Sequence, residues 1–405
     1  MTQTIMSYNQ STNRRSSSQN KSRKHPQQNK PKRKQKSTIN PNRLIQAAEL
    51  QEVRKYTPSI SFAEMNLHAH LKSNIDAMGF VNPTEIQEKT YKQLIQKQDM
   101  IGIANTGTGK TGAFLIPIIH NLLDQNKSRF KTLIIVPTRE LALQVQDEFN
   151  KLSKGLKLRS SCHIGGTNIN TDLKRLKQHN DFIIGTPGRL LDLINRGSIK
   201  PAQIQTLILD EFDRMLDMGF INDIRKIVRG MKQRDHTLLF SATMDPKQKS
   251  LIQEIVPNAI TVAVSKGDTS SKNVAQDIIR VPEGANKFDL LKVLLSGESF
   301  DKVILFAETK RLADRLSKKL NKSGIDADQI HGNKSQNYRL KALNKFKKGS
   351  IRVLVATDVA ARGVDIDSVS HVINYQLPTD YDTYIHRIGR TGRAGNVGMA
   401  YTFVD

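Results

Sequence analysis

The sequence predicts two tandem, doubly wound α/β domains, each built on a mostly parallel sheet and joined by a flexible linker. Three observations carry this expectation. From about residue 60 onward, short apolar runs alternate with amphipathic segments of helical period. The alternation breaks at a polar stretch, Ser265-Lys-Gly-Asp-Thr-Ser-Ser-Lys-Asn273, and then restarts. A Gly-rich turn, Gly102-Ile-Ala-Asn-Thr-Gly-Thr-Gly-Lys-Thr111, lies between a short apolar run and a segment that can begin a helix.

Taken in order, residues 1–57 read as a disordered basic tail. The first forty are Ser, Asn, Gln, Lys and Arg with almost no apolar anchor. Within the tail, Lys30-Pro-Lys-Arg-Lys-Gln-Lys36 is a basic cluster, and 43–54 can form a short helix. Residues 58–264 form the first domain. Its runs Thr132-Leu-Ile-Ile-Val-Pro137, Asp181-Phe-Ile-Ile-Gly185, Thr206-Leu-Ile-Leu-Asp210 and Thr237-Leu-Leu-Phe-Ser241 are apolar throughout, as strands buried on both faces must be. Residues 139–151 read as an amphipathic helix between them. The linker is 265–273. The second domain, 274–405, has strand runs at 274–281, 302–306, 352–357, 369–375 and 398–404, with helices at 308–320 and 337–347.

The bulk properties narrow the function. The chain has 405 residues and a net charge of +25, and about 350 residues remain for folding once the polar N-terminal stretch is set aside. Residues 1–50 hold eleven Lys/Arg against Glu49 alone, so most of the excess charge lies beyond that stretch. A surplus of this sign suits a polyanion, with nucleic acid the default. One cysteine, Cys162 in Ser160-Ser-Cys-His-Ile164, excludes a disulfide framework and a thiolate metal site; it reads as buried packing in a strand. No apolar run approaches the ~18 residues of a membrane span, and the polar, basic N-terminus is no secretory signal. Trp is absent and aromatics are 5%, so a stacking platform is not the main means of holding single strands.

The Gly-rich turn carries the first chemistry. It points several backbone N–H groups at one small space beside a helix N-terminus, which suits phosphate oxygens. Ala104 stands where the usual pattern opens with Gly. Thr106, Gly107, Thr108 and Gly109 form the cradle, Lys110 reaches the β- and γ-phosphates, and Thr111 offers a hydroxyl to Mg²⁺. The second feature is Leu207-Ile-Leu-Asp-Glu-Phe-Asp213, a strand that ends in acids. If that strand neighbours the phosphate loop, Asp210 can hold Mg²⁺ and Glu211 can orient and deprotonate a water. The third is Arg387-Ile-Gly-Arg-Thr-Gly-Arg393. Arg390 and Arg393 could reach the nucleotide if the domains close, and such arginines are worth on the order of 10³–10⁵ in rate.

Across about residues 60–405 the chain resembles the DEAD-box RNA helicases of superfamily 2. Ten motifs stand in that family's order. They are Gly79-Phe-x-x-Pro-Thr-x-Ile-Gln87, Ala104 to Thr111, Pro137-Thr-Arg-Glu-Leu-Ala142, Gly165-Gly166 and Thr186-Pro-Gly-Arg189. Then come Asp210-Glu-Phe-Asp213, Ser241-Ala-Thr243, Gln336-x-x-Arg339, Ala356 to Asp365 and His386 to Arg393. The resemblance implies RecA-like domains, ATP as nucleotide with Mg²⁺, and RNA-stimulated ATP hydrolysis coupled to domain closure. Gln87 would read the adenine, with Phe62 and Thr84 in the same pocket, and Asp365 would touch the ribose. Asp213, Ser241 and Thr243 would couple nucleotide state to closure, and His386 would bridge to the interface. RNA would lie on Pro137, Thr138, Arg139, Gly166, Thr186, Gly188 and Arg189, and in the second domain on Gly332, Arg339 and Thr357. Small residues and arginines suit sugar–phosphate contact rather than base reading.

The expected protein is a cytoplasmic monomer whose basic tail adds weak, non-specific RNA contact. Phe212 departs from the family's Ala, and Asn105 and Glu308 are lesser departures. The rival readings are an ATP-gated RNA clamp with weak hydrolysis, hinted at by Phe212 alone, a DNA-directed helicase of the same superfamily, and an unrelated P-loop ATPase.

Overall fold

The computed structural model describes residues 37–48, 56–105, 107–124, 131–244, 246–264, 273–297, 299–361, 369–392 and 397–405. Thr106, Asp365, Arg393, the cluster at 30–36 and linker positions 265–272 lie outside that set. The first sheet contains β1 (Met100–Ile103), β2 (Thr132–Ile135), β3 (Ser160–His163), β4 (Phe182–Gly185), β5 (Thr206–Leu209), β6 (His236–Ser241) and β7 (Ile260–Ala263), in the order β3-β4-β2-β5-β6-β1-β7. The second contains β8 (Val274–Arg280), β9 (Val303–Phe306), β10 (Ala327–Ile330), β11 (Val353–Ala356), β12 (His371–Asn374) and β13 (Gly398–Val404), in the order β10-β11-β9-β12-β13-β8. Every paired strand in both sheets is parallel.

The apolar runs divide by alternation, as a sheet covered on both faces requires. Ile134, Ile208 and Leu238 face one core of the first domain, while Leu133, Leu207, Leu209 and Leu239 face the other. In the second domain Ile304, Leu354 and Val372 face one core, and Val303, Leu305, Val353, Val355 and Ile373 the opposite one. Parallel strands end together, so the loops after β1, β2, β4, β5 and β6 gather at one edge of the first sheet. Two strands were not legible. β7 is mostly exposed and β10 reads Ala-Asp-Gln-Ile, so neither edge strand carries a continuous apolar run.

Two expectations need correction. Strand β5 does not neighbour β1, because β6 lies between them. The Ser241-Ala-Thr243 turn therefore stands between the phosphate loop and the acids.

The tail expectation also fails in its last part, where residues 37–48 are folded onto the second domain as a strap. Pro41–Leu44 is a single 3₁₀ turn and 45–48 are not helical, so the helix expected over 43–54 does not begin there; positions 49–54 of that expectation lie outside the described residues. Gln46 and Gln276 exchange backbone N–H···O bonds of 2.9 and 2.8 Å in an antiparallel bridge on edge strand β8. Ser37 Oγ donates to Pro378 O at 2.6 Å, Thr38 N to Thr379 O at 3.0 Å, and Arg280 Nη2 to Asn42 Oδ1 at 2.7 Å. Leu44 is fully buried in the core that holds Val274, Ile304 and Tyr384. One apolar side chain and an open sheet edge outweigh the polar composition.

Candidate active site

The phosphate loop is tied to the segment before it. Gln87 Oε1 accepts from Thr84 N at 2.8 Å, and Gln87 Nε2 donates to Gly109 O at 3.0 Å. Each of those bonds uses one of two lone pairs or one of two N–H groups, so the amide keeps one acceptor and one donor for a base edge. Phe62 is buried within the first domain's core, and its backbone N donates to Val81 O at 3.1 Å. Gly109 is required twice. Its φ is +88°, and an added Cβ would come within 2.8 Å of Gln87 Nε2 and 2.9 Å of Thr84 Oγ1. Gly109→Ala is therefore expected to weaken ATP-analogue binding by roughly tenfold or more, since left-handed strain alone costs about 1–3 kcal/mol. Titration of a fluorescent ATP analogue against both proteins checks it; equal affinity rejects it.

Thr108 Oγ1 donates to Asn105 O at 2.8 Å, closing the turn. Lys110 is buried, and its ammonium donates to Ala104 O at 2.9 Å, inside the loop. Asp210 lies close enough to feel that ammonium. Burial pushes the Asp210 carboxyl up to about 6, an effect that Lys110 partly offsets and Glu211 and Asp213 reinforce. Such a carboxylate gains from a cation. Asp210 and the Thr111 hydroxyl are hard oxygen donors of the kind Mg²⁺ takes when phosphates supply the rest of its shell.

Glu211 has the left-handed backbone φ 52°, ψ 51°, rare for a residue with a side chain. It turns the chain sharply from β5 into the helix Phe212–Asp217. Asp213 on that helix reaches the neighbouring turn. Its Oδ2 accepts from Ala242 N at 3.2 Å and Thr243 Oγ1 at 3.4 Å, and Ser241 Oγ donates to Thr243 O at 2.7 Å. Asp213, Ser241 and Thr243, the residues expected to couple nucleotide state to closure, are thus one hydrogen-bonded group. Phe212 is fully buried in the cluster of Leu209, Met215 and Leu239, so its bulk is absorbed by the first domain's core.

A second set gathers on the loops after β2, β3 and β4. Thr138 caps the helix Arg139–Leu152, its Oγ1 accepting from Leu141 N at 3.3 Å. A Cβ on Gly166 would lie 2.5 Å from Arg139 Nη1 at φ +81°, so only glycine lets that guanidinium lie across the turn. Arg189 Nη2 donates to Thr167 O at 2.8 Å, and Nη1 pairs with Asp172. Thr186 and Pro137 are buried at the bases of their loops. The space a Cβ would take on Gly188 meets only Asp223 Oδ2, at 3.9 Å. From the second domain, Arg339 Nη2 lies 3.0 Å from Glu140 Oε1, which also accepts from Gln336 Nε2 at 3.0 Å. Burial lowers the Arg139 pKa, and the charges of Arg339 and Arg189 lower it further. Arginines of both domains therefore share one electrostatic neighbourhood. Gly332 and Thr357 follow β10 and β11 at the corresponding edge of the second sheet.

Of the three arginines at spacing three, Arg387 is spent on structure. Its Nε and Nη2 grip both oxygens of Asp358 at 2.6 and 2.9 Å, Nη1 donates to Asn374 Oδ1 at 3.0 Å, and the guanidinium lies over Phe306. Arg390 and His386 line a small crevice with Phe306, Asp358 and Thr383. Sequence reading missed Arg214, Glu140 and Asp172, each a partner of a predicted site residue, and Asp358, which pairs with Arg387 and lines the crevice of His386 and Arg390. Only their contacts single them out, because charged residues on helices normally face water.

Residues 84–251 match the DEAD/DEAH box helicase family, and residues 286–395 match the helicase conserved C-terminal domain. The chain is 44% identical over 344 residues to the ATP-dependent RNA helicase CshA of Listeria monocytogenes, a match covering 85% of this chain and 66% of that protein. It is equally similar to the DEAD-box ATP-dependent RNA helicase CshA of Geobacillus kaustophilus, covering 73% of that protein. The chain thus spans about two thirds of the length of such relatives. Among solved structures it superposes on S. cerevisiae Dbp5 bound to RNA and ADP BeF3 with a TM-score of 0.75 at 33% identity, covering 85% of this chain and 89% of that one. Mss116p bound to ssRNA and AMP-PNP gives 0.76 at 30% identity, covering 89% and 77%.

Proposed function

Because this chain belongs to the DEAD/DEAH box helicase family, we propose that it is an ATP-dependent RNA helicase, coupling RNA-stimulated ATP hydrolysis to closure of its two domains. That closure opens short RNA duplexes locally or remodels RNA–protein complexes. The observation that carries the reading is the contact of Arg339 and Gln336 of the second domain with Glu140 of the first, at 3.0 Å each, next in the chain to Arg139. One strand laid across those arginines touches both domains, so RNA and closure favour each other.

In this reading Gln87 recognises adenine, and the same amide ties recognition to the loop through Gly109. Thr106 belongs to the phosphate cradle and Asp365 to the ribose contact. Lys110 leaves Ala104 O for the phosphates. Asp210 and Thr111 would hold Mg²⁺, which would supply neutralisation of phosphate charge. Glu211 accepts the proton of the attacking water, and Arg390 and Arg393 stabilise the γ-phosphate on closure. Asp213, through Ala242 and Thr243, passes the nucleotide state to the interface, where His386 receives it. Small residues and arginines hold the sugar–phosphate backbone, so binding is independent of base sequence. The protein acts as a monomer in the cytoplasm, with residues 1–36 adding non-specific attraction. Phe212, buried in the core, lends no weight to the weak-hydrolysis clamp.

The test is ATP hydrolysis without nucleic acid, with single-stranded RNA and with single-stranded DNA, using Lys110→Ala as blank. The expected result is a rise of at least about tenfold with RNA, none with DNA and none in the variant. Equal rises with both strands favour the DNA-directed reading. ATP binding without any rise favours the clamp.

A further inference from the structure

We propose that Arg214 is a positioning residue for the hydrolytic step, holding the Glu211 carboxylate where it can take the proton of the attacking water. The inference rests on the role given to Glu211 above. Arg214 Nη1 donates to Glu211 Oε2 at 2.8 Å, and both side chains are only 7% exposed. A glutamate has three rotatable bonds, and this one stands between two other acids, Asp210 and Asp213. Repulsion from both would swing an unheld carboxylate out of the site. Lys110 acts on Asp210. Among the described residues, the cation that Glu211 pairs with is Arg214, one helical turn on.

The geometry suits holding rather than consuming the base. Arg214 takes Oε2, so Oε1 can still accept from a water. The backbone helps, because the left-handed residue at Glu211 and the first turn of the helix Phe212–Asp217 set both side chains on the same side of the turn. Arg214 N also donates to Asp213 Oδ1 at 3.0 Å, while Asp213 Oδ2 accepts from Ala242 and Thr243. The residue that orients the base is thereby attached to the group that senses closure. A shift of the Ser241–Thr243 turn would move Asp213, then Arg214, and with it the base.

The experiment measures RNA-stimulated kcat and KM for ATP, with RNA affinity and the melting temperature, for Arg214→Met, Arg214→Lys, Glu211→Gln and Arg214→Met/Glu211→Gln. The expected result for Arg214→Met is a kcat loss on the order of 10²-fold, the scale for misplacing a catalytic group by about an ångström. KM and RNA affinity should stay within about twofold. Lys, which keeps the charge on a different reach, should recover part of the loss. In the double variant Arg214→Met should add nothing to Glu211→Gln, because there is no longer a base to place. Wild-type kcat in Arg214→Met, a Lys variant no better than Met, or additive losses overturn the proposal. If Met does not fold, Arg214→Lys decides alone, since it must lower kcat without changing KM. Wild-type kcat in Glu211→Gln refutes the role of Glu211 itself, a separate outcome.

Discussion

Glu211→Gln is expected to lower RNA-stimulated kcat by about 10²–10⁴-fold, the range a general base contributes, while ATP and RNA still bind. The amide fills the same volume and can still accept from Arg214, but it cannot take a proton. Glu211 holds a left-handed backbone despite its Cβ. Such strain costs on the order of 1–3 kcal/mol and persists where surrounding structure imposes it. Here the imposing structure is the end of β5, the Arg214 contact and the bond from Glu211 N to Asp210 Oδ1 at 2.9 Å. On the proposed cycle, in which ATP binding favours closure and hydrolysis reopens the clamp, the variant should also hold RNA longer in ATP. Single-turnover hydrolysis and RNA dissociation rates, measured together, check both parts. A variant that hydrolyses ATP within threefold of wild type would remove Glu211 from the mechanism.

Removing the strap is the second large effect, and it falls on stability. Leu44→Ala empties a fully buried site, which typically costs about 2–5 kcal/mol. The loss should appear in the melting of the second domain and leave the first domain's transition in place, because Leu44 belongs to the core around Val274 and Tyr384. Deleting residues 1–36 should leave both transitions unchanged. Deleting 1–48 should lower the second, since it also uncovers the edge of β8. Activity should follow, because Gln46 bonds Gln276 and Gln276 accepts from Tyr384 Oη at 2.9 Å. Tyr384 lies on the helix Tyr381–Ile388, which carries His386 and leads to Arg390. Differential scanning calorimetry of the three proteins decides the matter. An unchanged second transition in Leu44→Ala would mean the strap rests on the domain without supporting it.

Much of this protein was legible before any coordinates. The central strands of both sheets are continuous apolar runs, because burial on both faces leaves no room for polar alternation. The place of the Gly-rich loop between β1 and a helix was legible because a backbone cradle needs glycines at fixed spacing followed by Lys and Thr, and that pattern is local. The ordered motifs identified the family for the same reason.

What was illegible depends on distance. Edge strands β7 and β10 bury too little to need apolar runs. The placement of β6 between β1 and β5 is a crossover, set by packing over the whole sheet, and it puts the Ser241–Thr243 turn between the Gly-rich loop and the acids. The strap is polar but for a few residues, and nothing local announces that Leu44 completes a core more than two hundred residues away. Charged partners such as Arg214, Glu140 and Asp172 are ordinary helix residues by composition. The sequence by itself determined the two-domain α/β architecture and the local chemistry of the loops. The tertiary structure alone decided which charges meet, because pairing two buried charges depends on angstrom-scale geometry that no spacing along the chain encodes.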